Sequence, residues 1–122
     1  HYMYTYDNPE VIEIKAYSLD DYLPKYNFDL VLIDIEGSEY FAMRGMTQIL
    51  TKTKTLIVEF LPHHITNVAG VELTDFLNNI PKHLTKLTIP SKATTYPIDV
   101  GVTILEQMFE SGHGDDGIIF HN

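Results

Sequence analysis

The alternation of apolar and polar residues along the chain predicts five strands. Residues 10–17 alternate as expected for a strand with one covered face, beginning at Val11 and Ile12. Residues 29–35 form a nearly continuous apolar run, which is typical of a strand covered on both faces in a parallel sheet. Residues 54–60 form a similar run, and residues 86–90 and 117–122 carry weaker strand-like patterns.

Helices are predicted between these strands. Ser18, followed three residues later by Asp21, has the form of a helix-capping box. Apolar residues recur at helical spacing over residues 39–50 and again over residues 72–80, where Pro81 ends the pattern. The pattern therefore alternates strands with helices.

This alternation predicts an α/β fold with a mainly parallel sheet flanked by helices. Residues 91–116 are only loosely patterned and predict no further element. A chain of 122 residues, 44% hydrophobic and 20% charged, suits one globular domain covering residues 1–122.

Composition excludes several classes of partner. Eight basic against seventeen acidic residues give a net charge of -9, and the lysines are scattered, so neither nucleic acid nor an anionic membrane is the expected partner. No apolar run approaches the roughly 20 residues of a membrane span, and no signal peptide is recognisable. The absence of cysteine excludes disulfides and thiolate sites. We expect a soluble, cytoplasmic protein.

Acidic residues mark the ends of two predicted strands. Asp34 and Glu36 follow the first apolar run, Glu39 opens the next helix, and Glu59 ends the following strand. Ligands of open parallel sheets bind at the carboxyl ends of the strands, so neighbouring strands would bring Asp34 and Glu59 to one ligand or divalent ion. The structural alternative is that Asp34 accepts hydrogen bonds from the next turn and that Glu39 serves only the helix N-terminus.

Two loops carry further polar residues. His63 and His64 follow the Glu59 strand and would lie at the rim of the same crevice, either as substrate ligands or as solvated loop residues. The segment 112–117 offers His113 and acidic residues to a metal, but its three glycines favour a turn.

The chain resembles the FkbM-family methyltransferases. The resemblance rests on a Leu-Asp-Asp motif, an Asp-x-Glu-Gly-x-Glu motif after an apolar strand, an Arg-Gly pair in the following helix and a later strand ending in Glu. These are Leu19, Asp20 and Asp21; Asp34, Glu36, Gly37 and Glu39; Arg44 and Gly45; and Glu59. Their order and spacing agree over residues 11–60 and more loosely beyond.

The resemblance implies a class I, Rossmann-like fold and transfer of a methyl group from S-adenosylmethionine to a hydroxyl of a sugar or polyketide-like small molecule. It implies that Asp34 is a base or substrate anchor, with Glu36 and Glu39 in the same catalytic group. His63 and His64 become candidate substrate ligands, and Asp34 with Glu59 could hold Mg²⁺.

Two departures from the family pattern shape these expectations. Leu32 stands where the family commonly has lysine, and no glycine-rich turn follows an apolar strand. The chain is therefore predicted to be the C-terminal half of the domain, and its cofactor-binding residues stay unknown. The Asp34 strand would then lie at an uncovered sheet edge, so we expect a homo-oligomer or a missing N-terminal segment to cover it.

Two alternative functions follow from the same residues. A methyltransferase-like chain without the cofactor half could be a non-catalytic remnant that serves binding or assembly. The sequence LIDIEG also resembles the first motif of two-metal exonucleases, in which paired acids hold ions that activate water. The later His or Tyr four residues before an Asp, which those nucleases need, is not found in the C-terminal part.

Overall fold

A computed structural model of the chain describes residue 8 and residues 10–122. It contains one five-stranded sheet in the order β1-β2-β5-β3-β4. The strands are β1 (Leu30–Ile33), β2 (Thr55–Phe60), β3 (Lys86–Ile89), β4 (Thr94–Pro97) and β5 (Asp115–His121).

Helices connect these strands. They are α1 (Leu19–Tyr22), α2 (Glu39–Arg44), α3 (Thr47–Leu50), α4 (Pro62–His64), α5 (Leu73–Leu77) and α6 (Ile98–Glu110), with a π-helix at Ile65–Ala69 and a 3₁₀-helix at Pro90–Lys92. Within the part of the chain that the structure describes, every helix is too short or too polar to cross a bilayer.

The sheet is mixed, so the prediction of a mainly parallel sheet is wrong. β1 and β2 are parallel, with Leu30 opposite Thr55, but β5 is antiparallel to both β2 and β3, and β3 is antiparallel to β4. The short turn between β3 and β4 permits only a hairpin, since a parallel pair needs a crossover connection. The α/β class itself is confirmed.

The hydrophobic core lies on one face of the sheet. Leu56, Val58 and Phe60 of β2 alternate with half-buried residues, and the buried ones pack in a single cluster with Met43 of α2 and Leu105 of α6. Strand side chains alternate between faces, so the helices that supply this cluster cover one face only.

The other face of β1 is open among the described residues, contrary to the prediction of a strand covered on both faces. Leu30 is 57% exposed and Leu32 is 63% exposed, whereas Ile33 is buried. β1 is also an edge strand and pairs with β2 alone. Apolar side chains and unpaired backbone groups therefore meet at this edge.

The strand predicted at residues 10–17 is absent from the described structure. Residues 10–17 form no strand there, and Val11, Ile12 and Ile14 are exposed. An alternating pattern produces a strand only where another strand accepts its backbone hydrogen bonds, and no described strand lies beside this segment.

The loosely patterned stretch contains the longest helix. α6 runs over thirteen residues, Ile98–Glu110, and buries Gly101, Leu105 and Met108. Its β-branched residues and glycine weaken the helical signal, because both have low helix propensity. A Cβ on Gly101 would lie 2.4 Å from the side chain of Leu87, so glycine allows α6 to pack closely on β3.

The helix predicted over residues 39–50 is divided into α2 and α3, and α1 packs at the break. The Asp20 amide donates to the Gly45 carbonyl at 2.9 Å. The Asp20 carboxylate accepts hydrogen bonds from the amides of Gln48 (2.9 Å) and Ile49 (3.0 Å) and from the Thr47 hydroxyl (3.1 Å). Asp20 therefore caps α3 from a distant part of the chain, and this assigns the Leu-Asp-Asp motif a structural role.

Ser18 accepts a hydrogen bond from the Asp21 amide at 3.2 Å, which confirms one of the two hydrogen bonds of the predicted capping box at α1; the reciprocal bond from the Ser18 amide to the Asp21 carboxylate is not found among the described residues.

Asp20→Ala is expected to lower the free energy of unfolding by about 1–2 kcal/mol, because it removes the cap of α3. Partial burial acts to raise the pKa of Asp20, but the hydrogen bonds from Gln48, Ile49 and Thr47 outweigh it and lower the pKa. A lowered pKa means that the ionised group stabilises the fold above its unfolded-state pKa and loses this effect as the pH falls through the folded-state pKa.

The difference between wild type and Asp20→Ala should accordingly be largest near neutral pH and shrink below about pH 4. Denaturant unfolding at several pH values measures it. Asp21→Ala is the matched control, since its carboxylate makes no hydrogen bond within the described part of the chain. If Asp20→Ala lowered the free energy of unfolding by no more than Asp21→Ala does, the capping role of Asp20 would be refuted.

Candidate active site

Three carboxylates converge at the carboxyl ends of β1 and β2. One oxygen each of Asp34, Glu39 and Glu59 lies within 4.8 Å of the other two. The parallel pairing of β1 with β2 brings the two strand ends together, as predicted, with Ile33 opposite Val58 immediately before the acids. Asp34 is exposed and Glu39 is buried, so Asp34 is the member that a ligand could reach.

Glu39 supports the turn after β1. It is the first residue of α2 and is 3% exposed. Its Oε1 accepts a hydrogen bond from the Ile35 amide at 2.9 Å. This bond ties the start of α2 to the backbone beside Asp34, so Glu39 fixes the turn in addition to contributing negative charge.

Glu59 is held between acidic and basic neighbours. Its side chain is 10% exposed, and its Oε1 lies 3.1 Å from Nδ1 of His64. Burial raises the pKa of Glu59, and the hydrogen bond and charge of Asp34 act in the same direction, while the His64 hydrogen bond opposes them. The protonated form of Glu59 is therefore favoured over that of an exposed glutamate.

The turn between Asp34 and Glu39 adopts an unusual backbone conformation. Glu36 has φ of 57° and Gly37 has φ of 101°, both in regions that side chains disfavour. A Cβ on Gly37 would lie 2.7 Å from Cβ of Val68 in the π-helix. Glycine is thus required both by the backbone angle and by this contact, and π-helical turns are often found at functional sites.

One helical segment contacts both strand ends. The π-helix continues directly from α4. His64 of α4 forms a hydrogen bond with Glu59, and Val68 of the π-helix packs against Gly37. Val68 carries no recognisable signal in the sequence, because its contact depends on the extra residue in a π-helical turn.

The predicted site residues divide into two groups. The structure brings together Asp34, Glu39 and Glu59, with His64 bonded to Glu59. Glu36 is exposed on the turn and outside the cluster, and His63 is exposed with its ring 4.4 Å from that of His64. Their predicted roles in catalysis and substrate binding stay predictions.

The metal interpretation of residues 112–117 finds no support in the described part of the chain. Asp115 is buried and accepts hydrogen bonds from the amides of Ser91 (2.9 Å) and Gly117 (3.2 Å), and His113 Nδ1 lies 2.8 Å from the Ser111 hydroxyl. The acidic group that could hold a metal among the described residues is that of Asp34, Glu39 and Glu59.

The carboxylate cluster can bind a proton or a cation. Three acids this close repel one another unless a proton or a cation reduces their charge. Two oxygens on opposite sides of a metal ion lie about 4.2 Å apart for Mg²⁺ and about 4.8 Å apart for Ca²⁺, by the usual bond lengths. A separation within 4.8 Å therefore suits a hard cation or a shared proton.

The fold and the strand-end carboxylates define an α/β protein with a candidate ligand site at the carboxyl ends of β1 and β2. The family model of the FkbM methyltransferase domain matches residues 1–107, and the chain therefore belongs to the FkbM methyltransferase family. No curated protein and no solved structure matches the chain.

Proposed function

We propose that the chain carries the acceptor side of an O-methyltransferase, which methylates a hydroxyl of a sugar or polyketide-like small molecule. The single observation that supports this most is the convergence of exposed Asp34 with Glu39 and Glu59 at the strand ends. Membership of the FkbM family supplies the reaction class.

Asp34 acts as the base or the anchor for the acceptor hydroxyl. It is the exposed acid of the cluster, while Glu39 is engaged with the Ile35 amide and Glu59 with His64. Asp34 would accept the proton of a hydroxyl hydrogen-bonded to it. A bound sulfonium donor would supply the methyl group to the hydroxyl oxygen, its bond from sulfur to that carbon would break, and it would leave as a thioether. A positioned base of this kind contributes about 10²–10⁴-fold to a rate.

The family implies S-adenosylmethionine as the methyl donor. A glycine-rich turn between a strand and a helix is the usual cradle of such cofactors, because a Cβ-free backbone approaches the ligand closely. In the turn between β1 and α2, Gly37 is the one glycine. The three glycines of residues 112–117 lie before or within β5. We therefore assign no contact with the donor to these residues and propose that the chain is the acceptor-binding half of the domain.

The effect of magnesium on turnover distinguishes a mechanism in which Asp34 is the base from one in which a bound metal ion assists the reaction. Asp34 and Glu59 are the proposed metal ligands, with water and substrate completing the coordination. If Asp34 acts as a base, turnover is expected to change by less than about twofold on chelation with EDTA and on addition of Mg²⁺. If chelation abolishes turnover and Mg²⁺ restores it, a bound cation would activate the hydroxyl in place of a base.

The open edge of β1 suggests a protein interface. Leu30 and Leu32 are exposed on a strand that has one free edge within the described structure. Exposed apolar edge strands pair readily with other chains. We propose that the donor-binding half of the domain covers this edge and that, in the isolated 122-residue chain, a second copy takes its place.

Leu32→Glu is expected to weaken self-association at least about tenfold, because it places a charge where burial of leucine contributes about 1.5–3 kcal/mol. Analytical ultracentrifugation over a dilution series measures the effect. Val100→Glu, at a 46% exposed position on α6, is the matched control and should associate like the wild type. A wild-type chain that stays monomeric throughout would remove the proposed interface.

A further inference from the structure

A second concavity lies at the same end of the sheet as the carboxylate cluster. Its volume is about 400 Å³, and it is lined by Ser91, Lys92, Gln107, Met108, Ser111 and His113, together with Gly114. Pockets for small molecules usually begin at about 300 Å³, so the concavity can accept part of a ligand.

Close packing of the loop before β5 places this concavity beside the end of β2. A Cβ on Gly114 would lie 2.6 Å from the carbonyl oxygen of Phe60 and 2.5 Å from the side chain of Leu61. Asp115 pairs with Phe60 across the sheet, and Phe60 directly follows Glu59. The glycine therefore permits the loop that lines the concavity to pack closely on the end of β2.

Asp115 fixes the two walls of the concavity to each other. It is 8% exposed, and its two oxygens accept hydrogen bonds from the Ser91 amide and the Gly117 amide. One bond reaches the 3₁₀-helix that carries Lys92, and the other stays within β5. Two amide donors compensate part of the buried negative charge, so Asp115 holds the walls without needing a further cation.

The backbone next to Lys92 is strained. Ala93 has φ of 48° and ψ of 38°, a left-handed conformation that is unfavourable for a non-glycine residue. Such strain clusters at ligand sites, where the surrounding structure maintains it. In this turn it sets the direction in which the chain leaves Lys92.

The side chains around the concavity offer hydrogen-bond donors. The ion pairs found among the described residues are those of Lys54 with Asp29 and of Glu59 with His64, so the Lys92 ammonium takes part in neither. The Ser111 hydroxyl donates to the carbonyl of Gln107 or Met108 and therefore accepts from Nδ1 of His113, so Nε2 of His113 donates to an anion only when both ring nitrogens carry a hydrogen. An ammonium, an imidazolium and the Ser91 hydroxyl together match an oxyanion.

We propose that this concavity binds a phosphate or carboxylate group of a small molecule, with Lys92 as its main ligand and His113 as the second. Its place at the same end of the sheet as the carboxylate cluster would make it a handle for the distal part of the acceptor substrate, a role that rests on the proposed methyl transfer. Anion binding itself does not depend on that reaction.

Titration of the ¹⁵N-labelled chain with inorganic phosphate, at constant ionic strength, tests the site. We expect saturable amide shifts at Lys92, Gly112 and Gly114, with a dissociation constant on the order of millimolar, as for one exposed ammonium and one imidazole. Lys92→Met should weaken binding at least about fivefold. A parallel titration with malonate distinguishes a carboxylate from a phosphate site by which anion binds more tightly.

Lys82→Met is the matched control, because Lys82 is also exposed but lines a different groove. It should bind phosphate as the wild type does. Shifts that do not saturate, or equal affinity of Lys92→Met and the wild type, would overturn the proposal. The readout needs neither methyl donor nor turnover, so a negative result leaves the proposed methyl transfer intact, and a failed methyl-transfer assay leaves anion binding intact.

Discussion

Asp34→Asn is expected to lower the turnover number for methyl transfer by the complete domain, in which the donor-binding half is present, by about 10²–10⁴-fold while the protein stays folded. The change keeps the size of the side chain and removes the charge that accepts the hydroxyl proton. Asp34 is exposed, so the fold does not depend on burying its carboxylate. Steady-state kinetics under saturating donor measure the loss, and circular dichroism with thermal unfolding verifies the fold.

Asp29→Asn is the matched control for this substitution. Asp29 lies just before β1, and its exposed carboxylate makes an ion pair with Lys54 at 3.3 Å, an interaction of the kind that contributes little. The control should retain the wild-type turnover number. Equal activity of Asp34→Asn and Asp29→Asn would assign Asp34 to the turn and remove it from the chemistry.

Gly37→Ala is expected to lower the free energy of unfolding by about 2–6 kcal/mol and to reduce activity with it. A non-glycine residue at φ of 101° costs about 1–3 kcal/mol, and the added Cβ would overlap Val68, which costs about 1–3 kcal/mol more. Relief of the overlap moves the turn that presents Asp34 or the π-helix beside it. Denaturant unfolding measures the stability, and kinetics measure the activity.

Gly70→Ala separates the backbone cost from the packing cost. Gly70 also has positive φ, at 70°, but an added Cβ would find no atom within 4 Å. This control should lose only about 1–2 kcal/mol. If both substitutions had the same effect on stability and left activity unchanged, the contact between Gly37 and Val68 would have no part in forming the site.

Elements with strong local signals could be predicted from the sequence. β1 and β2 are apolar runs that end in acids, and their parallel pairing follows from the helices between them. The segment 10–17 has a strand pattern without a neighbour, so its local signal is not realised in the described structure. α6 shows the opposite case, because tertiary packing of its apolar face on the sheet outweighs its weak helix propensity.

The candidate site was predictable to the extent that strand pairing defines it. Asp34 and Glu59 meet because adjacent parallel strands end at the same edge. The bond from His64 to Glu59 and the contact of Val68 with Gly37 depend on how the chain turns after β2, which no sequence pattern specifies. Asp20 likewise caps a helix more than twenty-five residues away, as its separation of 28 residues from Gln48 shows.

The identity of the methylated product decides whether the domain methylates a hydroxyl oxygen with Asp34 as the base or anchor. The complete domain, with its donor-binding half present, is incubated with S-adenosylmethionine carrying a ¹³C-labelled methyl group and a panel of sugars and polyketide-like hydroxyl compounds, and the products are examined by NMR. We expect a methyl ether on a hydroxyl oxygen. The wild type and Asp29→Asn should form it at the same rate, and Asp34→Asn should form it about 10²–10⁴-fold more slowly. A methyl group on nitrogen or on a carboxylate, or undiminished ether formation by Asp34→Asn, would contradict this expectation.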